Sequence, residues 1–78
     1  MNKLSYFTLC FEVYKPYIKI DNNEKQMFID FKVYTLQAPH KLAAYKQAAD
    51  LLTRELYNYR RGCSFKLISC IKRKFQTL

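Results

Sequence analysis

The sequence is poor in the residues that make a chain flexible or that mark a phosphate-binding loop. It contains one glycine, two prolines and no tryptophan among 78 residues, and its apolar runs extend over only a few residues. Scarce glycine argues against flexible linkers and against a glycine-rich phosphate loop. The short apolar runs predict no membrane span, and the N-terminal segment lacks the cleavage site of a signal peptide. We expect one cytoplasmic domain over residues 1–78.

Cysteine is present in an odd number and without the spacing of a metal site. Cys10, Cys63 and Cys70 contain no C-x-x-C pair, which argues against a disulfide framework and against structural zinc. The separation of seven between Cys63 and Cys70 predicts opposite faces of one strand. A bridge between Cys10 and Cys70 stays open under oxidation, with reduced thiols as the expected state.

Groups that would support catalysis are also scarce. The single histidine, His40, follows Pro39 at the expected start of a helix, and no local motif places a Ser, Cys or Asp beside it. The six acidic residues are scattered, without the spacing of a carboxylate pair or of a metal-binding cluster. We therefore expect no enzymatic activity, no metal and no cofactor, and we interpret His40 as an exposed residue at a helix start.

Acidic residues become rare in the second half of the chain. Residues 1–39 carry five lysines against four acids, a net charge of +1, whereas residues 40–78 carry nine basic residues against two acids, a net charge of +7. No acid follows Glu55. A positive field of this kind attracts anionic partners such as nucleic acid. Solubility alone also explains excess charge in a small domain.

Strand periodicity is what the first half of the chain does contain. In the first strand, Leu4 to Tyr14, apolar residues occupy the odd positions from Phe7 onward. Beyond Pro16 the apolar residues stand at even positions, which predicts a kinked strand that continues to Ile20. The sequence "DNNE" at positions 21–24 predicts the turn of a hairpin.

A second strand is predicted over residues 26–36 because the same alternation returns. One face carries Met27, Ile29, Phe31 and Val33. The other face carries Phe28, Asp30, Lys32 and Tyr34. The first of these faces is the more apolar and is expected to face the core.

A helix is predicted from Pro39 to about Arg61. Proline suits a first helical turn, and apolar residues recur at steps of three and four. This predicted core stripe consists of Leu42, Tyr45, Ala49, Leu52, Leu56 and Tyr59, widened by Ala48 and Leu51. Asp50 and Arg54 form an i,i+4 pair on the opposite side. Gly62 suits the left-handed residue that follows a helix, and Arg60 and Arg61 suit the last turn near the negative end of the helix dipole.

A third strand, residues 64–75, completes the predicted fold. Phe65, Leu67 and Ile71 are expected to face inward, with the intervening lysines outward. The order strand, strand, helix, strand predicts a small α+β domain of ββαβ order. Its mainly antiparallel three-stranded sheet should have the order 2-1-3, with one long helix covering one face.

One helix leaves the second sheet face uncovered, and aromatic residues there alternate with lysines. The residues predicted on this face are Tyr6, Thr8, Glu12, Tyr14, Phe28, Lys32, Tyr34, Lys66, Lys72 and Lys74. Exposed rings offer a stacking platform worth ~1 to 3 kcal/mol per base, and lysines bind phosphates. The same aromatic patch equally suits a dimer or a protein partner.

The residues predicted to bind a partner combine this face with the basic C-terminal half. They are Tyr6, Tyr14, Lys32, Tyr34, Tyr57, Arg60, Arg61, Lys66, Lys72, Arg73 and Lys74. The segment "YNYRRG", positions 57–62, also has the composition of an ordinary helix ending. Its two arginines are therefore assigned to either role.

Charge and aromatic residues favour a small basic, non-enzymatic binding protein that contacts nucleic acid or a nucleoprotein complex. The alternative is a phage-encoded inhibitor of a host defence complex, in the style of anti-CRISPR proteins, which would dock on an acidic protein partner. A third hypothesis is a ribosome-associated component. A homodimer through the open sheet face is compatible with each of them.

Overall fold

The computed structural model describes residues 4–16, 18–20, 23–25 and 27–73. In this part of the chain the elements are, in order, β1 (Ser5–Tyr14), β2 (Ile18–Ile20), β3 (Asn23–Lys25), β4 (Phe28–Ala38), α1 (Lys41–Tyr59) and β5 (Ser64–Arg73). β1 lies between β4 and β5 and is antiparallel to both. The predicted α+β class, the sheet order and the single covering helix are confirmed.

The short strands β2 and β3 pair with each other as a separate antiparallel ribbon. The Lys15 N–H donates to the Met27 carbonyl at 2.8 Å, so the ribbon extends the hairpin formed by β1 and β4. Pro16 interrupts the first strand because it has no N–H to donate. The predicted hairpin is present, but positions 23 and 24 of the predicted turn belong to β3, and positions 21 and 22 lie outside the described residues.

The core follows the alternation of the central strand. Phe7, Leu9, Phe11 and Val13 are each at most 1% exposed, and they point toward α1. Full burial of each of these side chains contributes about 1.5 to 3 kcal/mol. The odd-numbered apolar face predicted for this strand is confirmed.

The helix packs through a narrower row than predicted, which shares Ala48, Leu52 and Leu56 with the predicted stripe. Its buried residues are Ala44, Ala48, Leu52 and Leu56, spaced at four. Two alanines in this row let the N-terminal half of the helix lie close to the sheet. Tyr59, predicted in the core stripe, is 82% exposed because it follows the last buried turn, and Leu42, Tyr45 and Leu51 are exposed as well.

The helix ends are formed by His40 and Arg60. The His40 Nδ1 accepts a hydrogen bond from the Ala43 N–H at 3.1 Å, so this exposed histidine is the N-cap and the helix begins after Pro39. The Arg60 N–H donates to the Leu56 carbonyl at 2.8 Å and ends the helix before the predicted Arg61. Gly62 has φ +85°, which confirms the predicted left-handed glycine.

A β-bulge in β4 reverses the faces predicted for most of that strand. Tyr14 pairs with Phe28 and Val13 pairs with Asp30, so Ile29 is the extra residue. From Asp30 onward the even-numbered residues face the helix. The prediction was therefore wrong for five residues. Phe31 and Val33 lie on the open face, and Asp30, Lys32 and Tyr34 lie on the helix side.

A second bulge has the same effect in β5. Cys10 pairs with Ser69 and Phe11 pairs with Leu67, which leaves Ile68 as the extra residue. Phe65 and Leu67 face inward and Lys66 faces outward, as predicted. After the bulge the faces are reversed, so Ile71 is on the open face and Cys70 and Lys72 are on the helix side.

The bulge also settles the cysteine geometry. Cys10 lies on the open face and Cys70 on the helix side, so the proposed bridge between them is wrong. Cys63 and Cys70 both pack against the core, not on opposite faces. All three cysteines are free.

Candidate functional site

The candidate site is the open sheet face, the side of the three-stranded sheet that faces away from α1. Strand pairing arranges its residues in five rows across β4, β1 and β5. The rows are Phe28–Tyr14–Ser64, Phe31–Glu12–Lys66, Val33–Cys10–Ser69, Thr35–Thr8–Ile71 and Gln37–Tyr6–Arg73. Rows two residues apart along a strand are separated by roughly 7 Å, so the face is about 27 Å long.

One end of the open face is an aromatic cluster. The rings of Phe28 and Phe31 lie 4.7 Å apart at 57°, and Tyr14 meets Phe28 at 6.2 Å and 74°. The Tyr14 hydroxyl donates to Glu12 Oε1 at 3.0 Å, and this bond raises the pKa of Tyr14 above its usual value. The hydrogen bond fixes the tyrosine ring beside the two phenylalanines.

The other end is more polar. Tyr6, Thr8, Thr35 and Arg73 surround a shallow depression of about 140 Å³. The hydroxyls of Thr8 and Thr35 lie 3.2 Å apart across the two strands. This end therefore offers hydroxyl groups and one guanidinium to a partner.

Between the two ends the face is apolar and carries little charge. The exposed large apolar side chains of the whole open face are between 42% and 60% exposed, namely Phe28, Phe31, Val33 and Ile71. Its charged residues in the described part of the chain are Glu12, Lys66 and Arg73, a net charge of +1. The face is thus an aromatic and aliphatic surface with cations on β5.

Two of the residues predicted for this site belong to the helix interface instead. The Lys32 Nζ lies 3.0 Å from both carboxylate oxygens of Glu55. The Tyr34 ring meets Phe11 edge-on at 6.1 Å. Burial and the negative charge of Glu55 raise the pKa of Tyr34. Lys32 and Tyr34 therefore fasten the helix and do not reach the open face.

The helix end separates the two arginines of "YNYRRG". Arg60 forms an ion pair with Asp30 at 3.5 Å. The guanidinium of Arg61 lies 4.7 Å from the centre of the Tyr57 ring, in a cation–π contact at an exposed site. Of these two arginines, only Arg61 has no acidic partner among the described residues.

The remaining predicted residues belong to β1 and to the C-terminal part of the chain. Tyr6, Tyr14, Lys66 and Arg73 lie on the open face as described above. Lys72 is exposed on the helix side, and Lys74 lies outside the described residues.

Sequence reasoning missed Phe31, Val33 and Ile71 on this face because both bulges shift the alternation. A signal was present in the second strand. Leu36 and Ala38 are apolar at even positions, whereas Met27 and Ile29 are apolar at odd positions. Such a change of phase within one strand indicates a bulge.

No family model, curated protein or solved structure matches this chain. Within the described ranges, no three His, Cys, Asp or Glu side chains are grouped so that they could hold a metal ion. Among those same residues, no helix has both the length and the apolar character needed to cross a membrane.

Proposed function

We propose that this protein is a non-enzymatic binding protein that contacts nucleic acid or a nucleoprotein complex through the open sheet face. The observation that carries the proposal is the cluster of Tyr14, Phe28 and Phe31, which presents aromatic rings on an uncovered sheet. Single-stranded nucleic acids stack their bases on such rings with little sequence preference.

The charges around the cluster support the same partner. Lys66 stands in the row next to the rings, and Arg73 stands at the far end of the same strand. The chain as a whole has a net charge of +8. Cations beside a stacking platform neutralise backbone phosphates and release their counterions. Binding should therefore weaken steeply as salt rises, because the release then gains less free energy.

A titration with fluorescently labelled single-stranded DNA and RNA at low salt tests this proposal. We expect weak binding that shows little sequence preference. Phe28→Ala with Phe31→Ala should weaken it about tenfold or more, because stacking contributes ~1 to 3 kcal/mol per base. Lys66→Ala should reduce the slope of log affinity against log salt by about 1.

The matched control is Leu42→Ala with Leu51→Ala, which removes two exposed apolar side chains from the helix. This variant should bind as the unchanged protein does, with a native circular dichroism spectrum. If no oligonucleotide binds at low salt, direct nucleic-acid binding is wrong. A protein partner then becomes the first hypothesis.

The second candidate function is inhibition of a host complex by protein–protein binding, as in phage-encoded anti-defence proteins. The observation that favours it is the apolar centre of the open face, where Val33 and Ile71 are exposed beside few charges. Protein interfaces are built around such apolar centres with polar rims. A ribosome-associated role would use the same cations, with structured RNA as the partner.

Sedimentation at micromolar concentration tests the simplest protein partner, a second copy of this chain. A dimer that dissociates in a Val33→Asp, Ile71→Asp variant would place the self-contact on the open face. A monomer at all concentrations would leave the face to a different molecule.

A further inference from the structure

The helix and its C-terminal end form ion pairs with one outer strand, β4, and the described residues show none with the other outer strand, β5. On the β4 side, Glu55 and Arg60 reach the strand and pair with Lys32 and Asp30 at 3.0 and 3.5 Å. On the β5 side, the described residues form no ion pair between helix and strand. The two ion pairs hold the C-terminal half of α1 toward β4.

A groove lies between the C-terminal end of the helix and the start of β5. It is lined by Thr53, Leu56 and Tyr57 of the helix, by residues 61–63 of the connection, and by Phe65 of β5. The groove has a volume of about 200 Å³. A cavity of about 150 Å³ holds a molecule the size of benzene, so this groove has room for an aliphatic side chain.

The outer edge of β5 borders this groove. In the described part of the chain β5 pairs with β1 alone, so from residue 65 onward its second edge has no strand partner. An edge of this kind presents backbone N–H and C=O groups that an extended peptide can pair with. A peptide that extended the sheet here would place alternate side chains on the helix side and on the open face. On the helix side, the side chain beside Phe65 would meet the groove.

The positive charges of β5 indicate which side chains such a peptide would carry on the open face. Lys66 and Arg73 point to the open face, and Lys72 points to the helix side. None of the three has an acidic ion-pair partner among the described residues, in contrast to Lys32 on β4. Cross-strand pairs of opposite charge stabilise a sheet, whereas like charges oppose it.

We propose that the edge of β5 binds an extended acidic segment of a partner protein as a fourth strand. Glutamate or aspartate on the segment lies opposite Lys66 and Arg73, and the aliphatic residue beside Phe65 enters the groove between Tyr57 and Phe65. This site is separate from the aromatic cluster and does not depend on nucleic-acid binding. Cations on an edge strand also prevent aggregation, and the experiment separates the two roles.

The probe is a fluorescein-labelled octapeptide, capped at both ends, in which glutamate alternates with valine. Its four glutamates match the distance from Lys66 to Arg73, which lie six regular strand positions apart. Its reference is a peptide of the same composition with the four glutamates in one block. We expect the alternating peptide to bind about tenfold more tightly. Equal binding of the two peptides would show general charge attraction and would overturn the proposal.

Two further peptides test the backbone hydrogen bonds. One carries N-methyl groups on its glutamates and the other carries them on its valines. The N–H groups of alternate residues point to the same side of a strand, so one version should lose binding and the other should keep it. Equal affinity for both versions would exclude strand addition.

Charge reversal tests the strand with a matched control. Lys66→Glu with Arg73→Glu should weaken peptide binding about tenfold, with a native circular dichroism spectrum. Lys41→Glu with Lys46→Glu on the helix changes the net charge equally and should leave the affinity unchanged. If both pairs weaken binding equally, the cations of β5 serve only to protect the edge.

The Phe28→Ala, Phe31→Ala variant distinguishes this proposal from nucleic-acid binding. It should bind the alternating peptide as the unchanged protein does while its oligonucleotide affinity falls. A matching loss of peptide affinity would place the peptide on the open face and overturn the edge site.

Discussion

The two outer strands of the sheet, β4 and β5, occupy equivalent places and carry opposite relations to the helix. Each is antiparallel to β1, and each contains one bulge. The charged residues of β4 that face the helix are paired with it through Asp30 and Lys32, whereas no charge of β5 is paired with the helix in the described residues. The two outer strands therefore differ in the location of their counter-charges and not in their position in the sheet.

The cause of the difference lies in the order of acids along the chain. Acidic residues are present in β4 and in the helix, and none follows Glu55. β5 therefore carries only positive charge. Glu55 is the last acid of the chain, and it pairs with Lys32 of β4. The C-terminal half of α1 therefore has no other acidic residue to pair with β5.

The comparison of the two outer strands depends most on Phe11 of β1, because its ring contacts a residue of each. Its ring meets Tyr34 of β4 at 6.1 Å and Phe65 of β5 at 5.5 Å. Phe11→Ala should lower the free energy of unfolding by about 3 to 5 kcal/mol, which is most of the stability of a domain this small. Urea denaturation followed by circular dichroism measures it. The exposed Phe31→Ala is the control and should change little, and a similar loss in both would contradict the central place of Phe11.

Gly62 comes next in expected effect, at the connection between the helix and β5. It has φ +85°, and an added Cβ would lie 3.0 Å from Pro16 Cγ. Gly62→Ala should reduce stability by about 1 to 2 kcal/mol through backbone strain and crowding. The double variant with Pro16→Ala should recover part of this loss in thermal unfolding. No recovery would assign the whole loss to the backbone.

The ion pair between Lys32 and Glu55 tests directly whether charge holds the helix to β4. A double-mutant cycle with alanine at both positions should give a coupling of about 1 kcal/mol, because both side chains are partly buried. The Asp50–Arg54 pair on the exposed face of the helix is the reference and should give about 0.3 kcal/mol. Equal coupling in the two cycles would mean that the helix is not fastened to β4 by charge.

The smallest expected effect is a dependence on alkaline pH. Because burial and Glu55 raise the pKa of Tyr34, the folded state favours the neutral phenol. The stability from this preference is present below the ordinary tyrosine value and is lost as pH rises through the raised pKa. Among the described tyrosines, absorbance should show two late ionisations, one from Tyr14 and one from Tyr34. Tyr34→Phe should remove the ionisation of Tyr34 and keep that of Tyr14. Glu55→Gln should shift the ionisation of Tyr34 to lower pH, and an unchanged titration would contradict the charge contribution.

The sequence was sufficient for the fold because β1 and the helix have regular patterns. Alternation in β1 identified Phe7 and Phe11 as core residues, and the helical period identified Leu52 and Leu56. The face of each outer strand was only partly predictable, since a bulge changes the phase without changing composition. The unmatched order of hydrophobic residues in β4 indicated the first bulge. No comparable signal marked Ile68.

The candidate site was predictable in part for the same reason. The central strand β1 contains neither extra residue, and Lys66 comes before the bulge in β5. The predicted face was therefore correct for Tyr6, Tyr14 and Lys66, which lie on the open face. Lys32 and Tyr34 follow the bulge at Ile29 and were assigned to the wrong side. The binding role of the open-face residues stays a prediction.

The two bulges make the outer strands tolerant of changes in length. Ile29 and Ile68 are each an extra residue opposite a regular β1, so loss of either one leaves every neighbouring side chain on its present face. A deletion inside β1 is not absorbed in this way, because it shifts the pairing register with β4 and with β5 at the same time. During evolution, single-residue deletions should therefore accumulate at these two isoleucines, while β1 keeps a constant length.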